Sequence, residues 1–146
     1  MMEVICRSSI SSSGVLVIPR NPLFELSNDN FVASSEWYTI NAQLSGYRVT
    51  IGRNYKVHGI LCLNQEVRYL IFDDKQIPGF FPQSLFDVLN EERKNWVECE
   101  YKTQQGVIYL CSYPQLTKSY GTLVEIVDCT NKGILSLLDC LYEQNK

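Results

Sequence analysis

The residues best placed to do chemistry are Asp73 and Asp74, adjacent carboxylates that follow the apolar run Leu70-Ile71-Phe72. A metal-dependent hydrolase sets carboxylates at the end of a strand, and a glycosidase holds two acids at a defined separation; both need further acids or histidines converging on the site. The other candidates, Glu66, Asp87, Glu91 and Glu92, fall on turn or helix surface positions without a recurring motif. An aspartate also ends a strand by accepting from the amides that follow it, and Asp73-Asp74-Lys75-Gln76 reads first as such a turn. His58 is the sole histidine, and neither a G-x-S-x-G elbow nor a cysteine-protease signature is present. It alternates with Lys56 and reads as an exposed or hydrogen-bonded structural residue. The glycines fall at turns and form no phosphate loop, so no cofactor is expected.

Six cysteines, Cys6, Cys62, Cys99, Cys111, Cys129 and Cys140, stand singly, with no C-x-x-C pair to begin a zinc site. The opening MMEVICRSS lacks the basic and apolar segments of a secretory signal, which predicts reduced, buried thiols in the cytoplasm. No apolar run approaches the roughly 20 residues that cross a bilayer. The net charge of −3 gives no general attraction for phosphates or anionic lipid. Residues 66–146 hold twelve acidic and eight basic side chains, against four and five in residues 1–65, so the negative field belongs to the second half. Arg48, Arg53, Lys56 and Arg68 could line one face of adjacent strands. Tyr47, Tyr55 and Tyr69 fall on the opposite face, toward the core, which disfavours a base-stacking platform.

The elements that must position these groups follow from periodicity. MEVICR and VLVIP read as short strands around the polar turn SSISSSG, and RNPLFELSNDNFVASS as a long connection. From Glu36 onward the chain alternates as an antiparallel meander. EWYTINA, GYRVTIGR, YKVHGILCLN and EVRYLIFDD are its strands, with Tyr47, Val49 and Ile51 on one face and Val67, Tyr69 and Ile71 on another. YKVHGILCLN is apolar on both sides at its far end, the mark of a central strand. After a loop over 75–82, QSLFDVLN carries Leu85, Phe86, Val88 and Leu89 at helical spacing. WVECEYK and GVIYLCSY form a hairpin, with Glu98 and Glu100 on its solvent face, and GTLVEIVD reads as a further strand. TNKGILSLLDCLYEQ is an amphipathic helix capped by Thr130, with Ile134, Leu135, Leu137, Leu138, Leu141 and Tyr142 in one stripe. Residues 1–146 therefore read as one α+β domain: mostly antiparallel sheet or a partly open small barrel, one short helix, and a C-terminal helix packed on the sheet.

The loop Ile77-Pro78-Gly79-Phe80-Phe81-Pro82 is apolar between polar turns. Phe80 and Phe81 either cap the open end of the sheet or form a patch for a partner, and Trp96 could serve the same two ends. Over residues 55–96 the pattern is a hydrophobic-Gly-Ile step, a turn, Y-L-I-x-D-D, a Pro-aromatic-aromatic-Pro step, L-F-x-V-L and a closing tryptophan. It resembles the immunity proteins of bacterial toxin systems, including contact-dependent growth inhibition, and small β-barrel modules like SH3.

That resemblance implies a cytoplasmic protein that neutralises a co-produced toxin by covering its active site or a neighbouring surface. Many such toxins are basic nucleases, and an acidic inhibitor associates quickly with one through complementary charge. Asp73, Asp74, Glu91, Glu92, Glu98 and Glu100 would then steer the partner, and Phe80, Phe81 and Trp96 would anchor it. A metal-dependent hydrolase at Asp73 and Asp74, and an SH3-like reader of peptide or nucleic acid, stand as the alternatives.

Overall fold

Two-residue turns set the architecture. Asn64 and Gln65 both take positive φ, 52° and 67°, the left-handed pair that closes a tight hairpin with the native strand twist. They join β5 (Gly59–Leu63) to β6 (Glu66–Phe72). In the computed structural model, which describes residues 1–14, 16, 18–19 and 45–144, these strands lie at the heart of a five-stranded antiparallel sheet. Its other members are β7 (Pro78–Pro82), β9 (Val97–Thr103) and β10 (Gly106–Ser112), in the order β7-β6-β5-β10-β9. A smaller sheet, in the order β4-β1-β8, is built from β1 (Glu3–Cys6), β4 (Asn54–Lys56) and β8 (Phe86–Asn90). β2 (Ile10–Ser11) and β3 (Ser45–Gly46) form a separate pair. Helices α1 (Pro114–Thr117), α2 (Tyr120–Val127) and α3 (Asn131–Gln144) follow. The fold is α+β, and among the described residues no barrel closes.

The large sheet is the middle of three layers. On β6, Tyr69 and Ile71 point into a core shared with Val4, Cys6, Tyr55 and Phe86 of the small sheet. Leu70 points the other way, into a core with Leu116, Leu123, Ile126 and Leu137 of the helices. This two-sided covering explains why β6 reads as a nearly continuous apolar run. It also decides Phe80 and Phe81. Residues 78–82 are a strand paired to β6 rather than a loop, so the two adjacent rings fall on opposite faces. Phe80 enters the helix-side core at 7% exposure and Phe81 the sheet-side core at 8%. Both seal cores; neither is a surface anchor.

Several elements differ from the periodicity. YKVHGILCLN is two strands: the Val57 amide still bonds Met2 O at 2.9 Å, and the next amide, His58, bonds Leu70 O at 2.8 Å. The chain changes sheets at that step, so Tyr55 and Val57 serve one core and Leu61 and Leu63 the other. β5 itself is central, as expected. The segment 83–90 is a single 3-10 turn (Gln83–Leu85) followed by β8, because Phe86 and Val88 alternate into register against Cys6 and Val4. GTLVEIVD is helix α2, begun by Ser119, whose side chain accepts from the Thr122 amide at 3.2 Å. Tyr120, Leu123 and Ile126 form its buried face. In GYRVTIGR only the first residue, Gly46, belongs to a strand, the two-residue β3; Val49 is buried while Ile51 is 65% exposed. The strand EWYTINA and the connection RNPLFELSNDNFVASS lie outside the described residues, and VLVIP partly so.

Helix α3 carries the capping bond expected of Thr130, whose Oγ1 accepts from the Gly133 amide at 3.1 Å. Its apolar residues divide into two faces: Leu137 and Cys140 are buried, whereas Leu135, Leu138 and Tyr142 are exposed. Gly133 is where α3 crosses α2 at backbone distance. A Cβ there would sit 2.4 Å from the carbonyl oxygen of Glu125 and 2.8 Å from the Ile126 amide. Gly133→Ala is therefore expected to lose about 2 kcal/mol by forcing two helix backbones apart, although alanine is the better helix former. Urea unfolding of the two proteins measures this directly.

Candidate protein-binding groove

The carboxylates that open the question of catalysis are occupied. Asp73 is 2% exposed. Its Oδ2 accepts from Arg48 Nε at 2.9 Å, and its Oδ1 from the amides of Lys75 at 2.8 Å and Ile77 at 3.0 Å. This is the strand-ending turn expected from Asp-Asp-Lys-Gln. Asp74 accepts from Tyr55 Oη at 2.6 Å, Thr50 Oγ1 at 2.7 Å and Arg53 Nη1 at 3.0 Å. The Tyr55 hydroxyl, then those of Thr50 and the Arg53 guanidinium, hold its carboxyl below the usual range. Among the described residues no three His, Cys, Asp or Glu side chains come together as metal ligands would.

The other polar candidates are structural in the same way. His58 is buried, with Nδ1 2.9 Å from Tyr113 Oη and its ring edge-on to Phe72. Burial, with a smaller push from Lys56, lowers its pKa to about 4. The basic row is dispersed: Arg48 and Arg53 pair with Asp73 and Asp74, and Arg68 is buried at 3% exposure. The six cysteines are free thiols; Cys6 and Cys140 are buried and the other four half-buried. Among the described residues no helix is long and apolar enough to cross a membrane.

An open site exists elsewhere. Among the described residues the small sheet covers only part of its face of the large sheet, and past Val88 on β8 a cavity opens over β5, β6 and β10. The result is a groove of about 450 Å³ whose floor is Ile60, Cys62, Val67 and Cys111, whose wall includes Met2 and Val88, and whose rim carries Glu91, Arg93, Glu98 and Tyr109. Tyr109 is 52% exposed and Val88 39%, large apolar area left in water beside charge. Glu98 and Glu100 stand on the same exposed face of β9. Burial raises the Cys111 thiol above its ordinary pKa, and the neighbouring Arg93 guanidinium pulls it the other way. A half-enclosed apolar floor with charged groups at the rim suits a side chain or loop of another protein.

The predicted contact residues separate accordingly. Glu91 and Glu98 line the groove, and Glu100 extends its acidic side. Glu92 is exposed and lies 3.4 Å from the N-terminal amine. Trp96 is half-buried, packed against both cores and edge-on to Tyr113, and is not part of the groove lining. Asp73, Phe80 and Phe81 are withdrawn from the surface, and Asp74 is tied up at the opposite end of β6. Periodicity alone missed Tyr109, Val88 and Arg93. The available signal was the alternation of GVIYLCSY, which sets Tyr109 and Cys111 on the face opposite Ile108 and Leu110. No family model, no curated protein and no solved structure matches this chain.

Proposed function

We propose that the protein is a cytoplasmic immunity protein that works by binding alone, neutralising a basic, nuclease-type toxin by covering its active site or a surface beside it. The observation that carries this reading is the groove: exposed apolar side chains, Val88 and Tyr109, set between the carboxylates of Glu91 and Glu98. Apolar anchors within a charged rim are the anatomy of a specific protein interface. Glu92 and Glu100 widen the acidic field that would speed encounter with a basic partner. A metal-dependent hydrolase at Asp73 and Asp74 lacks comparable support, because protein donors occupy those oxygens. A nucleic-acid reader lacks it too, because Arg48, Arg53 and Arg68 are committed to ion pairs.

The test is to express the product of the gene adjacent to this one in cells with and without this protein, growth being expected only when both are present. The triple variant Glu91→Lys, Glu98→Lys, Glu100→Lys alters only exposed side chains, so its thermal midpoint should stay close to that of the parent. Association with the toxin domain is expected to slow by about tenfold or more, with the effect shrinking as salt is raised. Full protection and unchanged association by the triple variant would remove this surface from the reading.

A further inference from the structure

Among the described residues the five-stranded sheet ends in β9, which pairs with β10 alone. The turn at Gln104-Gln105 closes on Thr103 and Gly106, and the register continues without a bulge to Val97 opposite Ser112. In such a ladder hydrogen-bonded pairs alternate along the strand. Val97, Cys99, Tyr101 and Thr103 thus direct their backbone groups to β10, while the amides and carbonyls of Glu98, Glu100 and Lys102 point out of the sheet. The other edge of this sheet, β7, begins and ends in proline, and the edges of the small sheet are shorter than β9, three residues in β4 and five in β8. β9 runs seven residues without proline, the kind of edge that accepts another strand.

The side chains of Glu98, Glu100 and Lys102 restrict which strand fits and in what register. We infer that the occupant is a second copy of this chain, its β9 antiparallel to the first and centred on Tyr101. Setting Glu100 opposite Glu100, or Glu98 opposite Glu100, faces like charges directly and is disfavoured. Centring on Tyr101 instead places Glu100 opposite Lys102 of the second copy twice over, with Tyr101 against Tyr101 and Cys99 against Thr103. The outward main-chain groups of Glu100 and Lys102 then satisfy one another. A twofold contact of this kind is closed: it joins two five-stranded sheets and leaves the proline-bounded β7 edges outermost, so pairing stops at the dimer. The inference does not depend on the toxin-binding reading.

Sedimentation equilibrium of the full chain tests it, in low salt and from about 10 μM to about 1 mM, the range in which small interfaces associate. The expected result is a concentration-dependent dimer. Glu100→Lys, which sets like charges opposite each other twice, should weaken it by about tenfold, and adding Lys102→Glu should restore it. Glu100→Pro removes an outward amide while sparing the β10 ladder, a position where an edge strand tolerates proline, and should leave only monomer. A monomer throughout the range, a dimer indifferent to Glu100→Lys, or a charge swap that fails to restore pairing would each overturn the inference. So would a monomeric protein whose Glu98, Glu100 and Lys102 amides become protected from exchange only when a peptide of alternating lysine and valine is added.

Discussion

Replacing Arg68 by alanine is expected to cost about 3 kcal/mol of folding free energy and to lower the thermal midpoint by about 10 °C. The guanidinium lies inside the fold on β6 and donates to several oxygens around it. Its Nη2 approaches Glu66 Oε1 at 2.6 Å and bonds the carbonyls of Gly14 at 2.9 Å and Ser13 at 3.3 Å, while Nη1 bonds that of Phe80 at 3.3 Å. Alanine would remove the guanidinium from all of these oxygens, leaving the Gly14 carbonyl only the Tyr47 hydroxyl, and would empty the volume of the stem. Glu66 is 41% exposed and regains water, so the loss lies in the under-satisfied carbonyls and the cavity. Arg68→Lys keeps the charge but loses the planar fork that reaches several carbonyls at once, and roughly half of the loss is expected to remain. Urea denaturation of the three proteins at neutral pH orders them.

The second large effect is on pH. In the fold His58 stays neutral until about pH 4, held between Tyr113 and Phe72, whereas an unfolded histidine takes its proton near pH 6.5. Between those values the unfolded chain binds the extra proton, so stability falls as the pH is lowered. The full contribution is present above about pH 6.5; about 3 kcal/mol is lost on descending to pH 4. Asp74, whose carboxyl is held below its ordinary range, adds its own loss at lower pH still. His58→Gln keeps a hydrogen-bonding partner for Tyr113 and cannot titrate, so its stability should be nearly flat from pH 7 to pH 4.5. Unfolding free energies of both proteins across that interval decide the matter; parallel slopes would assign the acid sensitivity to another group.

Where a segment has one exposed face, the sequence predicts its structure. β9 and β10 alternate cleanly because the β9 face carrying Glu98 and Glu100 meets water, and β6 was recognisable as a strand by its length and its bounding turns. The misreadings share a cause. Leu123, Val124, Ile126 and Val127 are apolar residues that suit either period, and what makes them helical is the Ser119 cap and a buried face spaced by three. Phe80 and Phe81 are apolar because their strand is covered from both sides, a fact about two other layers. The groove was legible only in Glu91 and Glu98. Its floor is apolar because it continues the core surface, and it is open only because β8 ends the small sheet short, which no local pattern encodes.

The wall of that groove has a particular order of assembly. Met2 belongs to the segment that leads into β1, and β1 lies between β4 and β8, with Glu3 opposite both Lys56 and Asn90. β1 thus waits for two partners far along the chain, the later of them emerging only after β5, β6 and β7. Contacts so distant in sequence close late, since the loop entropy must be spent before the pairing rewards it. During vectorial synthesis β5, β6 and β7 can pair with one another while β1 still waits for β8, so the groove wall of Met2 and Val88 depends on a long-range closure that the neighbouring hairpins do not need.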